Sequence, residues 1–109
     1  MTKQERIAQL NDLFRKTFAG GRVVVTSGVK ALGEKINFAI YKAVQEFDSF
    51  TEDNDPYGEH DFGAMEVEGA GKVFWKIDYY DSNLQYGSED PSDPDQTTRV
   101  LTVMLAHEY

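Results

Sequence analysis

The chain has 109 residues, enough for one domain with a modest core, and its 40% hydrophobic and 13% aromatic content is globular rather than disordered. It has no cysteine, which excludes disulfides, thiolate metal sites and a cysteine nucleophile. Residues 1–47 carry eight Lys/Arg against four Asp/Glu and residues 48–109 carry three against fifteen, so +4 and −12 give the net −8. That balance disfavours direct contact with nucleic-acid phosphates and steers the protein towards basic surfaces.

The opening Met1-Thr2-Lys3-Gln4-Glu5-Arg6 is polar and has no apolar signal region. No apolar run approaches the roughly 18 residues of a bilayer span, so a cytoplasmic protein without membrane contact is expected. Thr2-Lys3-Gln4-Glu5 reads as a capping box that starts a helix. Ile7, Leu10, Leu13 or Phe14, and Phe18 follow at helical spacing, and Gly20-Gly21 marks the stop.

Arg22–Ser27 is short and β-branched, which predicts a strand covered on both faces. Thr26-Ser27-Gly28 after it is read as an ordinary turn, because neither phosphate-loop motif is present. A second helix is predicted from Leu32 or Glu34 to Phe47, with Ile36, Ile40, Ala43, Val44 and Phe47 as its stripe and Phe38 and Tyr41 widening it.

Asp48 to Asp61 is a polar connection with Pro56 and Gly58, the kind of long loop that often carries function. Phe62–Glu68 and Lys72–Tyr80 read as a hairpin around Gly69-Ala70-Gly71. Val73, Trp75, Ile77 and Tyr79 form the better core face of its second strand. Asp81 to Gln96 is a second acidic loop, broken by Pro91 and Pro94. The apolar run from Thr98 to Ala106 favours a buried, central strand, with a helix capped by Asp95 as the alternative. The expected architecture is one α+β domain over 1–109: two helices on one face of a small, mainly antiparallel sheet of about four strands.

One ten-residue motif and two eight-residue motifs carry a family resemblance. They are Asn54-Asp55-Pro56-Tyr57-Gly58-Glu59-His60-Asp61-Phe62-Gly63, Phe74-Trp75-Lys76-Ile77-Asp78-Tyr79-Tyr80-Asp81 and Arg99-Val100-Leu101-Thr102-Val103-Met104-Leu105-Ala106. Together with Gly20-Gly21-Arg22 and Glu108-Tyr109, they resemble a bacterial domain-of-unknown-function family, number 3768. The resemblance implies a small proteobacterial protein of the kind often encoded on plasmids and other mobile elements. It implies no activity and no catalytic residue.

Three functional expectations follow. The first is a non-enzymatic acidic protein that mimics DNA, as an anti-CRISPR or anti-restriction inhibitor does, and occupies a basic nucleic-acid-binding surface of a host complex. Duplex DNA carries about one charge per 1.7 Å of axis, which closely set carboxylates can imitate. Its partner-binding residues would be Asp53, Asp55, Tyr57, Glu59, Asp61, Asp81, Glu89, Asp90, Asp93 and Asp95, with Trp75, Tyr80 and Tyr86 as further aromatic anchors.

The second is a small hydrolase or metal-dependent enzyme centred on His60 with Asp61 and Asp78, since a histidine among carboxylates can act as a base or a ligand. One histidine is few for a transition-metal site. A calcium loop starting at Asp53 fails, because Tyr57 and Ala64 occupy ligand positions. None of the loop serines sits in a nucleophile elbow. The third is a plasmid accessory protein whose acidic surface only solubilises. No cofactor is expected.

Overall fold

A computed structural model describes residues 1–109. Helix α1 runs Lys3–Thr17, strand β1 Arg22–Val25, a single-turn helix α2 Ser27–Lys30, and helix α3 Glu34–Glu46. Strands β2 (Phe62–Val67), β3 (Gly71–Tyr80) and β4 (Thr98–Leu105) follow, with 3-10 turns at Pro94–Gln96 and Ala106–Glu108. The result is an α+β fold with a four-stranded sheet in the order β1-β4-β3-β2. The β2–β3 and β3–β4 pairs are antiparallel and β1 is parallel to β4.

The capping box forms as the sequence predicts: Thr2 Oγ1 accepts the Glu5 N–H and its hydroxyl donates to the Glu5 carboxylate. The helix ends earlier than Gly20-Gly21. Phe18 takes the left-handed conformation (φ 58°) and its N–H closes on the Phe14 carbonyl. A half-buried aromatic contact explains why a phenylalanine stands there, because the Phe18 ring meets Tyr41 edge-on at 6.2 Å.

β1 corrects an expectation. It is an edge strand, and Arg22, Val23 and Val24 are exposed rather than covered on both faces. The helices cover the rest of the sheet, with α2 against β4 and α3 against β2. The turn expected at Thr26-Ser27-Gly28 is instead the start of α2, capped by the Thr26 side chain. Glu108 secures the same corner by accepting from the Thr26 hydroxyl (2.6 Å) and from the N–H groups of Gly28 and Leu105. Those donors hold its carboxyl below the usual range.

β4 is central, as its two-sided apolar pattern predicts. The core lies between one sheet face and the helices. Val73, Trp75 and Ile77 of β3 and Leu101, Val103 and Leu105 of β4 meet Phe14 of α1 and Ile40 and Val44 of α3. Trp75 is 0% exposed, which removes it as a partner anchor. Phe38 is 71% exposed and does not widen the α3 stripe. On the opposite sheet face, Tyr109 meets Phe62 and Phe74 edge to face, and the two phenylalanine rings are tilted against each other.

The antiparallel register decides where the acidic loops go. β2 begins at Phe62 opposite Lys76, and β4 begins at Thr98 opposite Tyr80, the last residue of β3. Loops 48–61 and 81–97 therefore gather at one end of the sheet.

Candidate functional site

Both acidic loops are tied to the N-terminal two-thirds of α1. Lys3 pairs with Asp90 of the second loop at 3.8 Å. Asn11 donates to the Glu59 carbonyl of the first loop (2.9 Å) and to the Tyr79 hydroxyl (2.8 Å). Asp12 accepts His60 Nδ1 at 3.0 Å on both oxygens.

Within the first loop, Asp55 is buried and its carboxylate accepts the His60 N–H at 3.1 Å. Asn54 ties the preceding turn through Thr51 and Ser49. His60 sits in the left-handed region (φ 56°), which is uncommon for non-glycine residues although histidine enters it more readily than most. Its ring stacks on Phe50, with centroids 4.0 Å apart and planes 3° from parallel. Nδ1 faces Asp12 and Nε2 stands 3.6 Å from Asp55.

Arg15 completes this cluster. It is fully enclosed, pairs with Asp12 at 3.0 Å, donates to the Val44 and Gln45 carbonyls at the end of α3, and lies over the Phe50 and Trp75 rings. One helix face thus clamps the loop and caps the other helix. Asp12 and Asp55 flank the His60 ring, and Arg15 holds Asp12 from the other side.

The enzyme alternative named His60, Asp61 and Asp78, which the fold does not bring together. His60 turns to Asp12 and Asp55, while Asp78 pairs with Lys76 at 2.9 Å on the sheet face away from the helices. Asp61 lies among acids. Burial first, then the charges of Glu59, Asp55 and Asp78, raise its carboxyl above the usual range. No set of three or more His, Asp or Glu side chains converges as a metal-binding group. His60 and Asp12 do line a 580 Å3 cleft with Glu5, Gln9, Lys16 and Gly58.

The expected partner-binding acids divide by what they touch. Asp55 is buried, Glu59 accepts from the Tyr79 hydroxyl, and Asp61 is half-buried. Asp90 is bound to Ser92 and Lys3, and its carboxyl is held below the usual range, first by the Ser92 hydroxyl. Asp81 and Asp93 fold their own turns by accepting backbone N–H groups of Asn83 and Gln85, and of Asp95.

Asp53, Glu89 and Asp95 are exposed, and so are Tyr57 (79%) and Tyr86 (74%). The second loop shapes a groove of 400 Å3 lined by Asp81, Ser82, Tyr86, Glu89, Asp95 and Gln96. None of its three carboxylates is paired with a cation of the chain.

Sequence reading missed Asn11, Asp12, Arg15 and Arg99. Asn11, Arg15 and Arg99 carried a signal, polarity at core positions, and Asp12 carried none. Asn11 falls between Ile7 and Phe14 on the buried stripe, and Arg99 alternates with Leu101, Val103 and Leu105 on the core face of β4.

No curated protein and no solved structure matches the chain significantly. Residues 25–108 match the family model described as "Protein of unknown function (DUF3768)", and the chain belongs to that family.

Proposed function

We propose that the chain is a non-enzymatic acidic interaction protein that occupies a basic, nucleic-acid-binding surface of a host defence complex as a DNA mimic, in the manner of an anti-CRISPR or anti-restriction inhibitor. The observation that supports this reading best is the unpaired acidic groove of Asp81, Glu89 and Asp95 beside the exposed Tyr86 ring. An arginine of the partner can stack on that ring while its guanidinium donates to the carboxylates. The exposed Asp53 and Tyr57 of the first loop extend the same chemistry. Rigid loops lose less entropy on docking, and the His60 clamp supplies that rigidity. In this reading the protein works in the cytoplasm, is encoded on a mobile element, and meets protein rather than nucleic acid.

The test is capture of partners from a host lysate at rising salt, followed by inhibition assays on the captured nuclease or guide complex. Capture that fades steeply over about 50 to 500 mM salt, and cleavage that is inhibited by the wild type alone, supports the proposal. Salt-insensitive capture that survives Asp53→Lys, Glu89→Lys and Asp95→Lys sinks it.

A hydrolytic centre on His60 is the second reading, favoured by the Asp12–His60 pair at the edge of the 580 Å3 cleft. Against it, both ring nitrogens face carboxylates and neither has a hydroxyl partner. Turnover of ester, amide or phosphate-ester substrates that His60→Asn abolishes would establish it.

A further inference from the structure

The chain buries two arginines. Arg15 has a carboxylate partner in Asp12, but Arg99, only 4% exposed, has none. Its Nε donates to Asn11 Oδ1 at 2.7 Å and its Nη2 to the Pro91 carbonyl. Both acceptors are neutral, and the guanidinium lies over the Tyr79 ring at 5.3 Å, so its charge has a cation–π contact but no carboxylate partner.

Arg6 adds a second positive charge nearby. Glu59, the acid that acts on Arg99 through space, already accepts the Tyr79 hydroxyl. Nη1 has no partner in the fold. The side-chain nitrogens that are both sealed from solvent and unpartnered are Arg15 Nε and Trp75 Nε1 alone, so Nη1 reaches open space. The cavity that Arg99 borders is a 150 Å3 pocket between the C-terminal half of α1 and the 94–97 turn, walled by Leu10, Leu13, Phe14 and Pro94.

We propose that this pocket binds a small monocarboxylate, with its carboxylate on the Arg99 guanidinium and its apolar tail among Leu10, Leu13, Phe14 and Pro94. A buried guanidinium is costly until an anion offsets it. An apolar space of about 150 Å3 takes a benzene-sized group, which limits the ligand to a free small acid. The site lies apart from the acidic groove and does not depend on the function proposed above.

The test is a titration of the isotope-labelled protein with benzoate, using benzamide as the neutral isostere, read by amide and guanidinium NMR shifts. Benzoate should give saturable shifts at Leu13, Phe14, Thr97 and the Arg99 side chain, with benzamide at least about tenfold weaker. Arg99→Met should abolish binding. Leu13→Trp, at an exposed wall position, should weaken it at least about tenfold with Tm unchanged, and it decides the matter if Arg99→Met does not fold. Equal binding of benzamide, the absence of saturable shifts with benzoate and with 4-methylpentanoate, or full benzoate affinity in Leu13→Trp overturns the proposal. Binding of a peptide with a free C-terminal leucine where both acids fail also overturns it.

Discussion

His60 Nδ1 stands 3.0 Å from each carboxylate oxygen of Asp12, 48 residues away, and this pair fastens the first acidic loop to α1. Replacing the ring leaves Asp12 and Asp55 without the group between them and removes the stack on Phe50. His60→Ala should destabilise the fold by about 1–3 kcal/mol in urea denaturation, and limited proteolysis should begin within residues 48–61. His60→Asn should lose less, because asparagine tolerates the left-handed backbone that this position requires. Equal losses in the two variants would show that backbone conformation contributes little here.

The exposed and inward acids should behave differently under charge reversal. Asp53→Lys, Glu89→Lys and Asp95→Lys alter exposed side chains and should stay within about 0.5 kcal/mol of wild-type stability. Partner capture should nevertheless be lost. Asp55→Lys places a cation where a buried carboxylate accepts the His60 N–H, and should cost about 3 kcal/mol or more. Circular dichroism with salt-dependent capture separates the two groups.

Asp61 and Glu108 predict opposite pH responses. The fold raises the Asp61 carboxyl above 3.8, so the folded state favours its neutral form. The Asp61 contribution is therefore present at low pH and is lost as pH rises through the raised value. Asp61→Asn should melt higher than wild type at pH 7, with the gain shrinking towards pH 4.

Glu108 is held below 4.5, so its contribution is present above that value and is lost as pH falls through the lowered one. Glu108→Gln should melt lower than wild type at pH 7, and the gap should close in acid. Thermal scans from pH 3 to 7 read both. A parallel pH response in the two variants would contradict the assigned causes.

Gly63 leaves no space for a side chain. A Cβ there would lie 2.3 Å from Trp75 Nε1 and 2.9 Å from Phe47 Cζ. Trp75 is enclosed and cannot swing away. Gly63→Ala should cost about 1–3 kcal/mol and shift the fluorescence of the single tryptophan.

Periodicity made α1, α3, the hairpin and the central β4 legible in the sequence, because each buries a face with its own repeat. The edge position of β1 was not legible. A run of three valines reads as buried in isolation, and only the parallel pairing with β4 leaves one edge and much of the surface open. The motif around His60 was visible, but its partner Asp12 was not. Asp12 looked like one more solvent-facing acid of a helix, and the contact depends on how the loop folds back over α1. The acidic loops were visible as composition. Which acids turn inward depends on local turn bonds, such as Asp90 with Ser92 and Asp55 with the His60 N–H.

The position of β4 also sets an order of events during synthesis. β1 pairs only with β4, and β4 is the last strand in the chain. Until the ribosome has released residues 98–105, β1 has no neighbour and β3 lacks one of its two. The hairpin and helices can form early, but closure of the sheet must wait for a segment to slot between two strands made long before. That long-range step is expected to limit the folding rate. A nascent chain stalled before Thr98 should therefore be held by chaperones and open to proteases, however well its helices have formed.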